Sequence, residues 1–154
     1  MAGAVVTIQD DELRALCSRL SGMALKPSER HDLLNRIGVE MVRQTKERFA
    51  TKETPDGDDW ADIADATKEY YLKKFGDENP FKGILWRNSP VPLRDTIMSE
   101  AGNWDVLVGA AKESAAVHQF GYKKISPRPY LGLSNDDKAD IIGIINGFLD
   151  RRSA

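Results

Sequence analysis

Apolar positions recur along this chain with helical spacing in some stretches and alternate in others, and the changes of spacing mark its elements. Leu13, Leu16, Cys17 and Leu20 recur at i, i+3, i+4 and i+7, one stripe of a helix. Asp10 stands ahead of it as an N-cap, Glu12 falls in its first turn, and it stops near Gly22 or before Pro27. A longer stripe follows: Leu34, Ile37, Met41, Thr45 and Phe49, widened by Leu33, Gly38 and Val42. Pro27-Ser28-Glu29 opens this second helix, with Ser28 as the expected cap. Glu29–Phe49 would run roughly 30 Å at ~1.5 Å per residue, which predicts the structural spine of the molecule. Lys46 and Arg48 fall in its last turns, where cations meet the negative end of the helix dipole.

Thr51–Asp65 is polar and loop-like, and Pro55-Asp56-Gly57 is turn chemistry. Trp60 in this acidic setting predicts a ring folded onto the core or onto a partner. A third helix starts at Asp65 or Thr67, carries Tyr70, Tyr71, Leu72 and Phe75, and stops at Gly76. Gly83–Trp86 is a short apolar patch, and Pro90 and Pro92 keep the following segment extended. Leu93–Ala101 and Trp104–Gly109 alternate around Ala101-Gly102-Asn103 and predict two antiparallel strands. On the second strand Trp104, Val106 and Val108 share a face. Ser114 caps a short helix over Ala115–Phe120 that Gly121 closes. Tyr122–Leu133 reads as a loop or hairpin arm. Ser134 caps the last helix, whose buried stripe is Ile141, Ile144, Ile145, Phe148 and Leu149. Gly143 and Gly147 weaken that helix or allow close packing. The β-branched Val5–Ile8 makes residues 1–9 an arm or edge strand. The fold class expected is α+β: a small antiparallel sheet packed by a long helix and a C-terminal helix, as one domain over residues 1–154.

Composition narrows the function classes. The 154 residues carry a net charge of −2, so the whole molecule offers no electrostatic case for nucleic-acid binding. Cys17 is the only cysteine, which leaves no intramolecular disulfide and no cysteine-based zinc site. On its helical stripe it reads as a small hydrophobe. No apolar run approaches the ~18 residues of a membrane span. The first residues lack the basic region of a secretory signal, so the expectation is a protein made and kept in a cytoplasm, or one that leaves it as part of an assembly.

Candidate chemistry is sparse. His118 and His31 are the only histidines, and no HExxH, CxxC or GxSxG pattern occurs. A structural or interface role for His118 therefore outweighs a catalytic one. Asp56, Asp58, Asp59, Asp62 and Asp65 form an acidic run, but Gly57 is misplaced for a calcium loop and the closing glutamate is missing. Lys123, Lys124 and Arg128 beside Tyr122 and Tyr130 form a basic, aromatic patch that single-stranded nucleic acid could favour. Arginine and tyrosine are equally the anchors of protein–protein contacts. Trp60, Trp86 and Trp104 read as core or semi-buried rings. No enzyme activity, cofactor or metal is expected.

Read in order, the motifs resemble the virion morphogenesis, or tail-completion, family of tailed bacteriophages. The residues that carry the resemblance are Ile37-Gly38 with Thr45 and Arg48-Phe49; Pro55-Asp56-Gly57 with Trp60; and Leu85, Ser89, Leu93-Arg94 and Ile97. Val106 and Val108-Gly109, then Ala115-Ala116-Val117-His118-Gln119-Phe120-Gly121, and then Pro127-Arg128-Pro129-Tyr130-Leu131-Gly132 complete it. Pro90 and Pro92 depart from the pattern, where glycine is frequent. The resemblance implies a structural virion protein that completes or terminates the tail, or seals the head–tail junction, as a ring of identical subunits, six being the expected number. Tail tube or head–tail connector proteins would be its partners, DNA would pass through the lumen without specific binding, and no membrane would be involved. A nucleic-acid-contacting neck or adaptor module is the alternative.

On that reading one contact surface comprises His118, Gln119, Phe120 and Gly121 with Pro127, Arg128, Pro129, Tyr130 and Leu131. Arg128 would bond a neighbour's carboxylate or backbone, and Tyr130 and Leu131 would fill its apolar pocket. The competing expectation for Arg128 is an ion pair with an aspartate of its own chain. Pro55, Asp56, Gly57 and Trp60 would supply a second, opposite surface or face the lumen.

Overall fold

Asp10 caps the first helix as its position predicts: its carboxylate accepts a hydrogen bond from the Leu13 N–H at 3.0 Å, and α1 spans Asp11–Ser21. The structure, a computed structural model, describes residue 4, residues 10–80, residue 85 and residues 90–154. The expected arm over residues 1–9 lies outside the described residues except for Ala4, which is buried in the core. Of the apolar patch over 83–86, only Leu85 lies inside them.

The spine helix α2 spans Pro27–Thr51, 25 residues, or about 37 Å at 1.5 Å per residue. Ser28 is not its cap. Lys26 precedes the first helical residue, and Pro27 takes the first position, where its missing N–H leaves nothing unsatisfied. Glu29 reaches back to accept from the Lys26 N–H at 2.9 Å. Lys52 ends α2 in the left-handed conformation, its N–H bonded to the Arg48 carbonyl at 2.7 Å. Helix α3, Asp65–Phe75, starts and stops where expected, with Gly76 left-handed after it.

The first predicted strand begins late. Pro92 fixes the backbone ahead of Leu93, the Asp95 N–H bonds the Pro92 carbonyl, and the Thr96 hydroxyl bonds the Leu93 carbonyl at 2.7 Å. These local bonds wind Leu93–Thr96 into one 3-10 turn, so β1 is Ile97–Ala101. It pairs antiparallel with β2, Val106–Ala110, in a register running from Ile97 opposite Ala110 to Ala101 opposite Val106. Trp104 therefore sits in the connecting turn and not on the Val106–Val108 face. It is 53% exposed, with the Arg30 guanidinium 4.0 Å from the ring centre.

The inner face of this two-stranded sheet lies on α2. Contact is close because position 38 has no side chain: a β-carbon on Gly38 would lie 2.8 Å from both Ser99 Oγ and Val106 Cγ2. Helix α4 spans Ala115–Phe120, and α5 spans Asn135–Ser153 alongside α2. Ser134 and Asp137 cap α5 reciprocally, at 3.0 and 2.9 Å. Ser114 stands before α4 but makes no capping bond. Gly143 and Gly147 are not points of close packing, since a β-carbon at either would meet no backbone within 4 Å.

Two apolar clusters result, both fed by α2. Leu33, Ile37 and Met41 pack with Leu20, Ile141 and Ile145. Phe49, near the other end, packs with Trp60, Leu93, Ile97, Ala110, Ala115, Tyr130 and Leu131. Cys17 is exposed, so it is no part of the α1 stripe that packs. The whole is the α+β fold expected, a long helix on a small antiparallel sheet with the C-terminal helix beside it.

Candidate docking surface

Helix α4 and the Pro127–Leu131 segment come together through one side chain. Gln119 is buried; its Oε1 accepts from the Tyr130 N–H at 3.0 Å and the Leu131 N–H at 2.9 Å. Its Nε2 donates to the Leu131 carbonyl at 3.0 Å. An extended segment without a strand neighbour leaves backbone groups to be satisfied, and here one amide satisfies three. The Arg128 N–H adds a bond to the His118 carbonyl at 2.7 Å.

The anchors expected to reach a neighbour turn inward. The Arg128 guanidinium donates to the carbonyls of Ala61, 2.6 Å, and Asp62, 2.7 Å. Burial pushes its pKa down, and the nearby Asp62 charge opposes that. Its partners within the chain are thus main-chain carbonyls and not an aspartate side chain. Tyr130 is 0% exposed and donates its hydroxyl to the Ala115 carbonyl at 2.9 Å. Burial raises its pKa well above the ordinary phenol value. Leu131 is in the core. The predicted basic, aromatic patch is dismantled by the same burial: of its five members only Tyr122, Lys123 and Lys124 are exposed.

Trp60 joins this assembly and does not mark an opposite surface. Its Nε1–H donates to the Pro129 carbonyl at 2.8 Å, and its ring meets Phe49 edge-on at 5.3 Å. Phe49 touches Tyr130 in turn, at 5.2 Å. Pro55 lies against Gly132, where a β-carbon would come within 2.5 Å of the proline ring. Asp56 and Gly57 are exposed in the turn, with Gly57 left-handed at φ 90°. Asp62 is held below the usual carboxylate range, first by Lys68 at 2.6 Å and then by the Ile63 N–H. Among the described residues no histidine, cysteine and carboxylate groups gather as metal ligands would.

What remains on the outside is a knuckle. Gly121 turns the chain at φ 78°, and a β-carbon there would crowd the Ile125 carbonyl and Pro127 at 3.0 Å. Tyr122 and Ile125 exchange both backbone bonds, at 3.1 and 2.9 Å, around Lys123 and Lys124, with Lys123 left-handed. Phe120, Tyr122 and Ile125 are 60%, 57% and 43% exposed on it. His118 is half-buried below, and Pro127 is exposed. Arg128 and Gln119 hold the base of the knuckle and leave its tip in solvent.

Sequence reasoning missed a further buried pair: Arg48 of α2 with Asp137 of α5, both enclosed, with Arg48 also donating to the Tyr130 carbonyl at 2.9 Å. The available signal was the polar run Gln44, Thr45 and Arg48 inside an otherwise apolar stripe.

The chain is 26% identical over 115 residues to Mu-like prophage FluMu G protein 1 of Haemophilus influenzae, covering 75% of this chain and 76% of that one. No solved structure matches it. The sequence pattern of the phage virion morphogenesis family matches residues 11–150, almost the whole chain, and the protein belongs to that family.

Proposed function

We propose that the protein completes or terminates a phage tail, or seals the junction between tail and head, by assembling as a ring of identical subunits. Six copies are the expected number, tail tube or connector subunits are the partners, and the lumen passes DNA without binding it. The site of action is then the virion, at the tail or neck. The observation that carries this reading is the knuckle: three large apolar side chains exposed within six residues, on a base fixed by Gln119 and Arg128. Exposed apolar side chains gathered on a fixed backbone lose little entropy on docking, which suits protein contact. Family membership supplies the virion context.

Light scattering over a concentration series, with negative-stain images, tests the ring. A closed ring in solution, or one formed when tails lacking this protein are added, is expected. A monomer under both conditions overturns it.

A further inference from the structure

We propose that the Phe120–Ile125 knuckle of one copy docks into the acidic groove between α2 and α5 of a second copy, joining subunits head to tail. This rests on the ring reading above and assigns the two surfaces a ring requires.

The groove encloses about 660 Å³ between the second half of α2, the Pro55–Gly57 turn and the first turns of α5. Six carboxylates line it, from Glu47, Glu53, Asp56, Asp136, Asp137 and Asp140, against the two guanidinium groups of Arg43 and Arg48. Both cations are already engaged: Arg48 by Asp137, and Arg43 by Glu40 at 2.6 Å and Glu47 at 2.9 Å. Asp140 accepts from Gln44. Glu53, Asp56 and Asp136 have no ion-pair partner among the described residues. The groove therefore presents an uncompensated negative mouth.

The knuckle presents the complement. Lys123 and Lys124 are consecutive at its tip and exposed, and neither forms an ion pair among the described residues. The Lys123 ammonium lies 5.1 Å from the ring of its own Tyr122. Two ammonium groups thus face three unpaired carboxylates, with Phe120, Tyr122 and Ile125 as apolar shoulders that docking would take out of water. Rim charges chiefly select the partner and speed encounter. The two surfaces share no residue, as a heterologous contact between identical subunits demands.

Charge reversal tests the pairing on the full chain. K123E/K124E reverses the tip and E53K/D56K reverses the groove; thermal melts of each confirm the fold. Each variant alone is expected to need a roughly tenfold higher concentration to assemble than the wild type. A one-to-one mixture is expected to recover assembly, because a reversed tip then meets a reversed groove. Should either reversal upset the fold, K123Q/K124Q is expected to weaken assembly by a smaller factor and to blunt its loss in high salt. Wild-type assembly by either reversed variant, or no recovery on mixing, overturns this pairing and leaves the ring reading standing. A wild-type chain that stays monomeric even with tails present removes both.

Discussion

Arg48, near the end of α2, and Asp137, in the first turn of α5, form an ion pair with both side chains buried, across 89 positions of sequence. Asp137 also accepts the Ser134 N–H, and Arg48 also reaches the Tyr130 carbonyl. One pair therefore joins the spine helix, the cap of the last helix and the segment at the base of the knuckle. Removing one partner strands a buried charge, which typically costs about 3–5 kcal/mol. Arg48→Met or Asp137→Asn is expected to lose that much in urea denaturation. The double variant R48M/D137N is expected to lose clearly less than the sum. Additive losses would mean that the two groups do not act as a pair.

Gln119 predicts a separate effect, on the position of the segment it stitches. Gln119→Leu keeps the bulk but leaves the Tyr130 and Leu131 N–H groups and the Leu131 carbonyl without this partner. Each stranded backbone group costs about 1–3 kcal/mol, with relaxation and water recovering part. A total near 3 kcal/mol is expected, together with faster amide hydrogen exchange centred on Tyr130 and Leu131. Unchanged exchange there would show that the stitch is not what orders the segment.

Helix ends were legible where their causes are local, though Ser28 and Ser114 do not cap α2 and α4 as expected. Asp10 and Ser134 cap α1 and α5 as read, and Gly76 and Gly121 end α3 and α4. The strand pair was legible in kind. Its start was displaced by a local competitor, the Thr96 hydroxyl bonded three residues back, which alternation cannot report. The candidate site was legible as a block and misread in direction. Pro127-Arg128-Pro129-Tyr130 has the composition of an exposed arm, yet Arg128 and Tyr130 find their partners at Ala61, Asp62 and Ala115. Arg48 was read by the helix dipole alone, a surface effect, when its partner lay on another helix. Partners separated by tens of residues leave no trace in spacing. Trp60 was read correctly as a core ring, and its 5% exposure bears that out; the same limit explains why the loop that carries it was also placed opposite the segment that Trp60 touches.

Gly38 predicts a steric limit at the helix–sheet contact. Gly38→Ala gains about 1 kcal/mol of helix propensity, which taken alone would stabilise α2. The new β-carbon would meet Ser99 Oγ and Val106 Cγ2 at 2.8 Å, so the sheet must shift away from the helix. Overpacking of this kind costs about 1–3 kcal/mol, so the expected net change runs from about zero to a loss of about 2 kcal/mol. Adding Ser99→Gly removes one of the two colliding groups and is expected to recover part of the loss. A G38A variant more stable than wild type would show that the sheet yields freely.

Acid should loosen the straps around α5 before it reaches the core. Asp10 is held below the usual carboxylate range, first by the Leu13 N–H and then by Lys138; Glu29 is held down by the Lys26 N–H and then by Arg152. Both carboxylates belong to the α1 and α2 starts, while Lys138 and Arg152 are on α5. A carboxylate that is more acidic in the folded chain binds fewer protons there than in the unfolded chain. Its contribution is therefore complete above an unfolded pKa of about 4, and is lost as pH falls through the folded value. Lys138 and Lys68 have raised values, remain charged throughout that window, and would lose their share only in strong alkali. Melting temperature is expected to hold between about pH 7 and 5 and to fall below about 4.5. D10N/E29Q should start lower at neutral pH and show a shallower acid slope. An unchanged slope would place the acid sensitivity elsewhere than in these two helix-cap carboxylates.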